Sequence, residues 1–375
     1  MTLALVTAPL SPAAFAALEV ELGWQVLSSQ GPELLRAKGV DVAAVGALLV
    51  EAELVDREVL DRFPALSVVG CVRGNPVNVD VEEATRRGIV VVCSPGRNAE
   101  SVADLVLGLM LSVLRHIAHT HHLIVSRQIT EDREEDRRRK DVVWRPSDPS
   151  APIPYRLYKG PELATLTLGL LGFGAIGRSV GIKAGALGMR VLAYDPFVPD
   201  VELVAAGAEP VSFDELFRRS DVLSLQAPPQ EGPPLVGERE LALMKPTAYV
   251  INTARASILD YDALVAALRS GKLAGAGLDV FPDEPLSSLS PLLDLPNVTL
   301  TPHIGGASSN VVEHHSEILL GSLLALAQGN PEAAHVKNPD VLERWPGGIP
   351  PALSGGRDRD RSSQPRVQVV FEKEG

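Results

Sequence analysis

The chain has 375 residues, of which 45% are hydrophobic and 22% charged, and its formal net charge at pH 7 is −12. Such a composition is typical of a globular protein with room for two domains. The acidic balance argues against nucleic acid or an anionic membrane surface as the main partner, whereas small anionic substrates stay compatible with a local cluster of Arg or Lys.

The N-terminal third of the chain alternates strand-like and helix-like segments. Short apolar strands such as "LALVTA", "ALLV", "LSVVGCV" and "GIVVVCSP" are separated by helical pieces such as "PAAFAALEVEL" and "DREVLDRF". The long helix that follows carries an apolar stripe at i, i+3, i+4 and i+7 spacing. This alternation predicts a parallel sheet wound with helices over residues 1–117.

The N-terminus and the two cysteines indicate a cytoplasmic protein. The apolar start has no Lys or Arg before Arg36 and is broken by Pro9 and Pro12, so it does not match a signal peptide. No stretch reaches the roughly 18 uninterrupted apolar residues of a membrane span. Cys71 and Cys93 are expected to be buried free thiols.

Residues 118–161 interrupt the alternation and are expected to form a crossing segment with a charged insert. Within it, "EDREEDRRRK" precedes a Pro-rich stretch, which indicates a solvated helix followed by an irregular connection; a lid over a cleft is the sharper alternative. His119 and His122 lie one helical turn apart, but no carboxylate or Cys ligand set accompanies them. The prediction is therefore that there is no metal site.

A second alternating region spans residues 162–306. Ser212 and Glu215 have the spacing of a capping box at the start of the helix "FDELFRR". The long helix that begins with "GGASSN" is placed to return to the first domain, so residues 307–341 are assigned to that domain. The tail, residues 347–375, is rich in Gly, Pro, Ser and charge and is expected to be poorly ordered.

The segment "TLTLGLLGFGAIGRSV" predicts a dinucleotide site. Gly172, Gly174 and Gly177 have G-x-G-x-x-G spacing directly after a strand and at the start of a helix, whose free N–H groups suit a pyrophosphate. Asp195 ends the next strand, at the offset expected of the acid that binds the ribose hydroxyls. Because this carboxylate repels the extra phosphate of NADP, NAD is the predicted cofactor.

Three further strands of the same domain end in side chains that suit redox chemistry on a 2-hydroxy acid. Ligands of open α/β sheets bind beyond the carboxyl ends of the strands, so Arg255, Asp279, Glu284 and His303 are expected in one crevice. A guanidinium there grips a carboxylate and polarises the carbonyl. His303 would carry the hydroxyl proton, with the Glu284 carboxylate favouring its protonated form.

Six motifs in this order carry a family resemblance: "NVDVEEATRRGIVV", "GRNAESVADLVLGLML", "GLLGFGAIGR", "NTAR", "GLDVFPDEPL" and "LTPHIGG". The chain resembles the D-isomer-specific 2-hydroxyacid dehydrogenases, which include D-3-phosphoglycerate dehydrogenases, glyoxylate/hydroxypyruvate reductases and D-lactate dehydrogenases. The resemblance runs to about Val341.

The resemblance implies two doubly wound α/β domains, a flavodoxin-like substrate domain and a Rossmann NAD-binding domain, with the active site between them. It implies interconversion of a D-2-hydroxy acid and its 2-keto acid by Arg255, Glu284 and His303, in a homodimer. The residues that it implies as NAD contacts are Gly172, Gly174, Ala175, Ile176, Gly177, Asp195, Pro228, Thr253, Ala254, Asp279 and Gly305.

The chain departs from the family pattern at several positions. Ala256 stands where the family usually has Gly after the catalytic Arg, and the segment after "SLQAPP" lacks the usual threonine. The substrate loop reads "CVRGNPVNVD", which puts Arg73, Gly74 and Asn75 in or beside the substrate site. Arg73 either meets a second anionic group, such as the phosphate of 3-phosphohydroxypyruvate, or forms a surface salt bridge, and the sequence favours neither.

Two competing interpretations remain open at this point. The formate dehydrogenase branch resembles a pattern with Gln at the position of Glu284, which counts against it. Some relatives are NAD-responsive transcriptional corepressors, and they retain the Arg–Glu–His set, so an NAD(H)-responsive binding protein is the alternative to an enzyme. Turnover of 2-keto acids separates the two.

Overall fold

The structure is a computed structural model that describes residues 2–29, 31–37, 39–130, 150, 152–229 and 231–354. It divides into two compact units, one drawn from residues 1–97 and 309–375 and the other from residues 98–308. Each unit is built on one sheet whose paired strands are all parallel. The predicted fold class, two doubly wound α/β domains, is therefore confirmed.

The first unit has a five-stranded sheet in the flavodoxin-like order β2-β1-β3-β4-β5. Every strand of this sheet except the edge strand β2 is buried along its whole length, which explains why these sequences are continuous apolar runs rather than alternating ones. The strands are β1 (Leu3–Val6), β2 (Gln25–Ser28), β3 (Val45–Val50), β4 (Val68–Cys71) and β5 (Val90–Cys93). The helices are α1 (Pro12–Val20), α2 (Glu33–Arg36), α3 (Arg57–Arg62) and α4 (Val81–Arg87), with α13 (Val311–Ala327) and α14 (Pro351–Ser354) added from the end of the chain.

The second unit has a seven-stranded sheet. Its strands lie side by side in the order β12-β11-β10-β9-β6-β7-β8, which is that of a dinucleotide-binding fold. Its strands are β6 (Thr167–Leu171), β7 (Arg190–Tyr194), β8 (Glu209–Pro210), β9 (Val222–Leu225), β10 (Tyr249–Asn252), β11 (Gly275–Leu278) and β12 (Val298–Leu300). Its helices are α5 (Ala99–Leu114), α6 (Ile117–Val125), α7 (Pro154–Leu157), α8 (Ala175–Ala186), α9 (Asp200–Ala205), α10 (Phe213–Arg219), α11 (Glu238–Leu243) and α12 (Tyr261–Arg269). The capping box of Ser212 and Glu215 is present at the start of α10.

Helix α5 lies in the second unit, whereas the sequence interpretation ended the first domain at residue 117. Its apolar stripe packs in one core with β6 and α8. The helix also lies close to β11, because a β-carbon on Gly277 would come within 3.0 Å of the Leu109 β-carbon. The apolar stripe could be predicted from the sequence, but not which sheet covers it.

The tail prediction is wrong for its first residues. Residues 351–354 form α14, in which Ala352 and Leu353 are buried, and the Trp24 indole donates a hydrogen bond to the Ala352 carbonyl (2.7 Å). This contact ties the segment to the core of the first unit. Residues 355–375 of the tail and 131–149 of the charged insert lie outside the described residues.

Other predictions concern the thiols and the membrane. Cys71 and Cys93 are buried free thiols, as expected, and burial raises the pKa of both. In the described ranges no single helix has the length and apolarity to cross a membrane; α5 and α6 pass that test only as a pair bent by 65°.

Candidate active site

The glycine loop between β6 and α8 has the geometry of a phosphate-binding turn. Gly172 has φ +97°, and a β-carbon there would lie 2.7 Å from the Ala227 nitrogen. At Gly177 a β-carbon would lie 2.4 Å from the Gly172 carbonyl oxygen, so helix and strand approach closely. By contrast, nothing lies within 4 Å of a β-carbon built on Gly174. The backbone at Gly174 thus faces open space, where a pyrophosphate can approach it.

The start of α8 and the end of β7 complete the fit to NAD. Helix α8 begins at Ala175 and Ile176 with no side-chain cap, which leaves its first N–H groups to a phosphate. Asp195, directly after β7, accepts hydrogen bonds from the backbone N–H groups of Phe173 (2.8 Å) and Phe197 (2.9 Å). Its carboxylate is therefore fixed beside the glycine loop, where it suits ribose hydroxyls and repels a 2′-phosphate.

The other expected NAD contacts follow neighbouring strands of the same sheet. Pro228 lies in the loop after β9, and Thr253 and Ala254 follow β10 directly. The Gln226 amide donates hydrogen bonds to Ser224 (2.8 Å) and to the Thr253 hydroxyl (3.3 Å). Gln226 is a residue that the sequence analysis did not single out, and it orients Thr253 from the adjacent strand.

His303 and Glu284 form the central pair of the site. The His303 Nδ1 lies 2.7 Å from the Glu284 Oε2, and because an ionised carboxylate only accepts, Nδ1 carries the proton. Nε2 forms no hydrogen bond with any described residue and is free for a substrate. The His303 backbone has φ +55°, in the left-handed region that a non-glycine residue rarely adopts.

Arg255 lies at the same edge of the sheet. It follows β10, Glu284 follows β11 and His303 follows β12, and these three strands are neighbours. The hydrogen bond from His303 lowers the pKa of Glu284, with further contributions from the Phe281 N–H and the positive charge of Arg255. In the ranges that the structure describes, the Arg255 guanidinium forms no ion pair and bonds only to the Ala254 carbonyl (2.6 Å).

Asp279 has a role that the sequence analysis did not anticipate. The residue was expected as an NAD contact, but it is fully buried and its carboxylate holds the His303 loop. One oxygen accepts from the Thr301 hydroxyl (2.6 Å) and the Ile304 N–H (2.9 Å), and the other accepts from the Gly305 N–H (2.8 Å). A buried carboxylate needs such partners, so the strand-end position of Asp279 was a usable signal.

Asn252 similarly holds the Arg255 loop and was also missed. This fully buried amide accepts a hydrogen bond from the Ala254 N–H (3.1 Å) and donates one to the Arg255 carbonyl (3.1 Å). The Tyr261 hydroxyl, which also contacts Asn252, donates to the Val280 carbonyl at the start of the Glu284 loop. A polar residue at the end of a buried strand was again the available signal.

The expected substrate loop lies in the first unit. Arg73, Gly74 and Asn75 follow β4, and the Ser94 N–H donates to the Arg73 carbonyl (2.9 Å). Within the described ranges the Arg73 side chain has no salt-bridge partner, and both interpretations of this residue stay predictions. The loop therefore places Arg73, with no ion pair to any residue that the structure describes, at the carboxyl end of the sheet.

The histidines of "HIAHTHH" are partly accounted for by an aromatic contact. His116 and His119 both pack against the Tyr158 ring, at centroid distances of 5.8 and 5.6 Å. No group of three or more His, Cys, Asp or Glu side chains among the described residues is arranged to hold a metal ion.

Comparison with known proteins gives consistent likenesses. Residues 107–305 match the family model of the D-isomer specific 2-hydroxyacid dehydrogenase NAD-binding domain. The chain is 35% identical to a glyoxylate reductase of Thermococcus litoralis over 88% of this chain and 93% of that protein. Among solved structures, a protein from Thermus thermophilus is 34% identical, with a TM-score of 0.65 over 89% of this chain and 99% of that one. A D-lactate dehydrogenase from Aquifex aeolicus, solved with NAD and lactic acid, is 25% identical, with a TM-score of 0.59 over 88% and 97%.

These likenesses agree with the glycine loop, the fixed Asp195 and the doubly wound sheets. The chain is an oxidoreductase of the CH–OH group that interconverts a 2-hydroxy acid and its 2-keto acid, and NAD is its cofactor. It belongs to the D-isomer specific 2-hydroxyacid dehydrogenase family.

Proposed function

We propose that this enzyme uses NADH to reduce a short 2-keto acid to the D-2-hydroxy acid. The leading candidate substrates are 3-phosphohydroxypyruvate on the one hand and glyoxylate or hydroxypyruvate on the other. The observation that carries the proposal is the 2.7 Å pair of His303 and Glu284, which follow β12 and β11, at the sheet edge where Arg255 follows the neighbouring strand β10. A relative over nearly the whole chain is a glyoxylate reductase, which supports a short substrate.

Arg255 binds the substrate carboxylate and polarises the carbonyl that is reduced. Its guanidinium offers several N–H donors, and only one short hydrogen bond, to its own loop, holds it in the described ranges. A planar guanidinium pairs with a carboxylate through two parallel hydrogen bonds, which fixes the substrate's orientation. Asn252 contributes by holding the Arg255 backbone.

His303 supplies the proton. Since Nδ1–H is engaged by Glu284, Nε2 is the nitrogen that meets the substrate oxygen, as an imidazolium donor in keto-acid reduction and as an acceptor in the reverse reaction. Glu284 stabilises the protonated ring. Bound NADH supplies the hydride.

The residues that the sequence indicated would hold the cofactor. The glycine loop and the first turn of α8 would bind the pyrophosphate, and Asp195 would bind the adenosine ribose. Pro228, Thr253, Ala254 and Gly305 are the further residues that would contact NAD. Gly74 and Asn75, the substrate-binding residues that the sequence predicts, are both exposed after β4 in the first unit.

The enzyme acts as a cytoplasmic homodimer in this proposal. Several large apolar side chains of the second unit are exposed, among them Ile117, Val125, Leu157 and Ile182 on α6, α7 and α8. Exposed apolar surface of this kind supports a protein partner. Light scattering after size exclusion tests the dimer, and a mass of about 40 kDa, that of one chain of 39.9 kDa, would contradict it.

The experiment that tests the activity is NADH oxidation with glyoxylate, hydroxypyruvate, 3-phosphohydroxypyruvate, pyruvate and 2-oxoglutarate. Each kcat/KM is measured once with NADH and once with NADPH, and His303→Gln serves as the inactive control. We expect turnover of at least one short keto acid, with NADH preferred because of Asp195. Tight NADH binding without turnover of any of the five would contradict the proposal and favour an NAD(H)-responsive binding protein.

A further inference from the structure

A cavity in the second unit has no part in the chemistry above. Its volume is about 690 Å³, which is within the range of sites that hold small organic molecules. It lies between the start of α12 and the loop that joins β11 to β12, and all of its lining residues belong to the second unit. Binding in this cavity therefore needs no residue of the first unit.

Much of the cavity lining is apolar. Leu259, Val265 and Leu292 line it and are buried in the core of the unit. Leu289 also lines it but keeps 90% of its surface exposed, which is a large exposure for an apolar side chain. An occupant with an apolar body would remove this side chain from water, and that change favours binding.

The charged residues that line the cavity are all acidic. They are Asp260, Asp262 and Asp283, and no Lys, Arg or His is among the described residues that line it. Asp260 accepts a hydrogen bond from the Ala263 N–H (3.0 Å). Asp262 and Asp283 are exposed, and their carboxylates have no hydrogen bond or ion pair with any residue that the structure describes. The cavity therefore favours a positively charged group and repels a carboxylate or phosphate.

The start of α12 does not make the cavity an anion site. A helix N-terminus attracts negative charge, but here Asp260 is the N-cap and Asp262 lies in the first turn. Two carboxylates thus already balance the partial positive charge of the helix. The keto-acid substrate and the pyrophosphate of NAD are both anions, so this cavity is a site separate from theirs.

The cavity adjoins both reactive loops of the unit along the chain. Ala256, which lines it, directly follows Arg255, and Asp283, which also lines it, directly precedes Glu284. A cation bound at Asp283 would attract the Glu284 carboxylate and repel a protonated His303 ring. Both effects oppose the imidazolium that donates the proton during reduction.

We propose that this cavity binds an organic ammonium ion with an apolar body, and that the bound cation slows keto-acid reduction by opposing the protonated form of His303. The ammonium group pairs with Asp262 and Asp283, and the apolar body covers Leu289. The effect on turnover rests on the proposed function, whereas the binding itself does not.

The binding test uses two probes with the same six-carbon chain, n-hexylammonium and neutral 1-hexanol. At about ten times its Kd, hexylammonium is expected to raise the Tm of the enzyme by about 2–4 °C. Calorimetric titration gives the Kd of each probe, and hexanol should bind at least about tenfold more weakly, because it has no charge to pair with the carboxylates. Ammonium chloride at the same concentration controls for ionic strength.

The kinetic test measures glyoxylate reduction with and without hexylammonium. We expect kcat to fall about two- to tenfold at saturation, the effect of one added charge a few ångströms from the His303 pair. The KM for NADH should stay within about twofold, because the probe does not enter the cofactor site. Hexanol should leave kcat unchanged.

Variants of the lining locate the site. Asp262→Asn and Asp283→Asn should each raise the Kd of hexylammonium about fivefold or more, whereas Leu289→Ala should weaken both probes. Asp294→Asn is the matched control, because Asp294 is an exposed acid of the same loop that does not line the cavity. Its Kd for hexylammonium and its kcat without the probe should equal those of the wild-type enzyme.

Each part of the proposal has its own contrary result. Hexanol that binds as tightly as hexylammonium overturns the preference for a cation, and a Kd unchanged in both aspartate variants overturns the location. Binding that leaves kcat unchanged overturns the effect on His303. An enzyme without turnover of any keto acid overturns the reductase, while the Tm and the titration still decide whether the cavity binds an ammonium ion.

Discussion

The carboxyl edges of the two sheets are built differently. At the edge of the second unit, the reactive residues are held by buried groups behind them: Asp279 anchors the His303 loop and Asn252 anchors the Arg255 loop. At the edge of the first unit, one arginine, Arg97, is held from two sides and Arg73 has no salt bridge among the described residues. The first arrangement fixes reacting atoms, and the second leaves donors available to variable groups.

This contrast separates chemistry from selectivity. Proton transfer tolerates little displacement, since its groups must lie within hydrogen-bond reach of the substrate. Recognition of a distal group is a matter of differential binding and can differ between enzymes with the same chemistry. Changes in the second unit should therefore affect all substrates alike, and changes at the edge of the first unit should affect their ranking. The following predictions test that division.

The largest effect is expected for His303→Gln. Loss of the proton donor should lower kcat by about 10³-fold for every keto acid, within the usual range for general acid–base catalysis. NADH affinity, measured by fluorescence titration, should stay within about twofold, because no cofactor contact is assigned to this ring. Equal losses in kcat and in NADH affinity would contradict the proton-transfer role.

Asp279→Asn tests the anchor without touching the reacting atoms. An amide NH₂ group facing backbone donors should displace the His303 loop and lower kcat by about 30- to 100-fold. The free energy of unfolding should fall by about 1–3 kcal/mol, because buried hydrogen bonds to a charged group are lost. Urea unfolding and steady-state rates measure both. Asp294→Asn, an exposed aspartate of the same unit, is the control, and an equal effect there would remove the special role of Asp279.

Glu284→Gln tests the electrostatic half of the His303 pair. The pKa of Glu284 is lowered, so the carboxylate stays ionised through neutral pH and into the acid range, and its stabilising effect is lost only as pH falls through that lowered value. We expect kcat for reduction to fall about tenfold or more at neutral pH. A kcat for Glu284→Gln equal to that of the wild-type enzyme would contradict a role for this pair.

Asp195→Ser should have the smallest effect and change only the binding of the cofactor. The KM for NADH is expected to rise about tenfold through loss of a charged hydrogen-bond acceptor, and NADPH should improve relative to NADH. The ranking of keto acids should be unchanged, which is how this variant sharpens the comparison. Asp200→Ser, at the start of α9, is the matched control. A changed keto-acid ranking would show that the division between the two edges is incomplete.

Local pattern was enough to predict much of the fold and the reactive edge. These features concern residues that are close along the chain or that recur at strand ends. They are the glycine spacing, the acid directly after β7 and the polar residues at three strand ends. The strand-and-helix alternation predicted parallel sheets because few other arrangements bury such segments. These signals depend on periods and positions that one sequence displays.

Long-range pairing was not predictable from these patterns. Arg97 and His315 are separated by 218 positions, and nothing in either segment indicates that one holds the other. Likewise, the stripe of α5 is equally compatible with either sheet, and the buried contact between Trp24 and Ala352 depends on packing between the two ends of the chain. Composition alone predicted disorder after residue 347, although two apolar residues were sufficient to dock α14.

The left-handed backbone at His303 has a consequence for how this position can vary. At φ +55°, most side chains crowd their own backbone, while Gly, Asn, Asp and His are accommodated with less strain. In a saturation library at position 303, folded variants should be enriched in Gly, Asn and Asp, and β-branched residues should be depleted. Both the backbone conformation and the chemistry would then favour histidine at this position, because histidine is the one residue among those four that exchanges a proton near neutral pH. Loss of activity by drift here would leave a recognisable trace, an asparagine or glycine at position 303 in an otherwise intact fold.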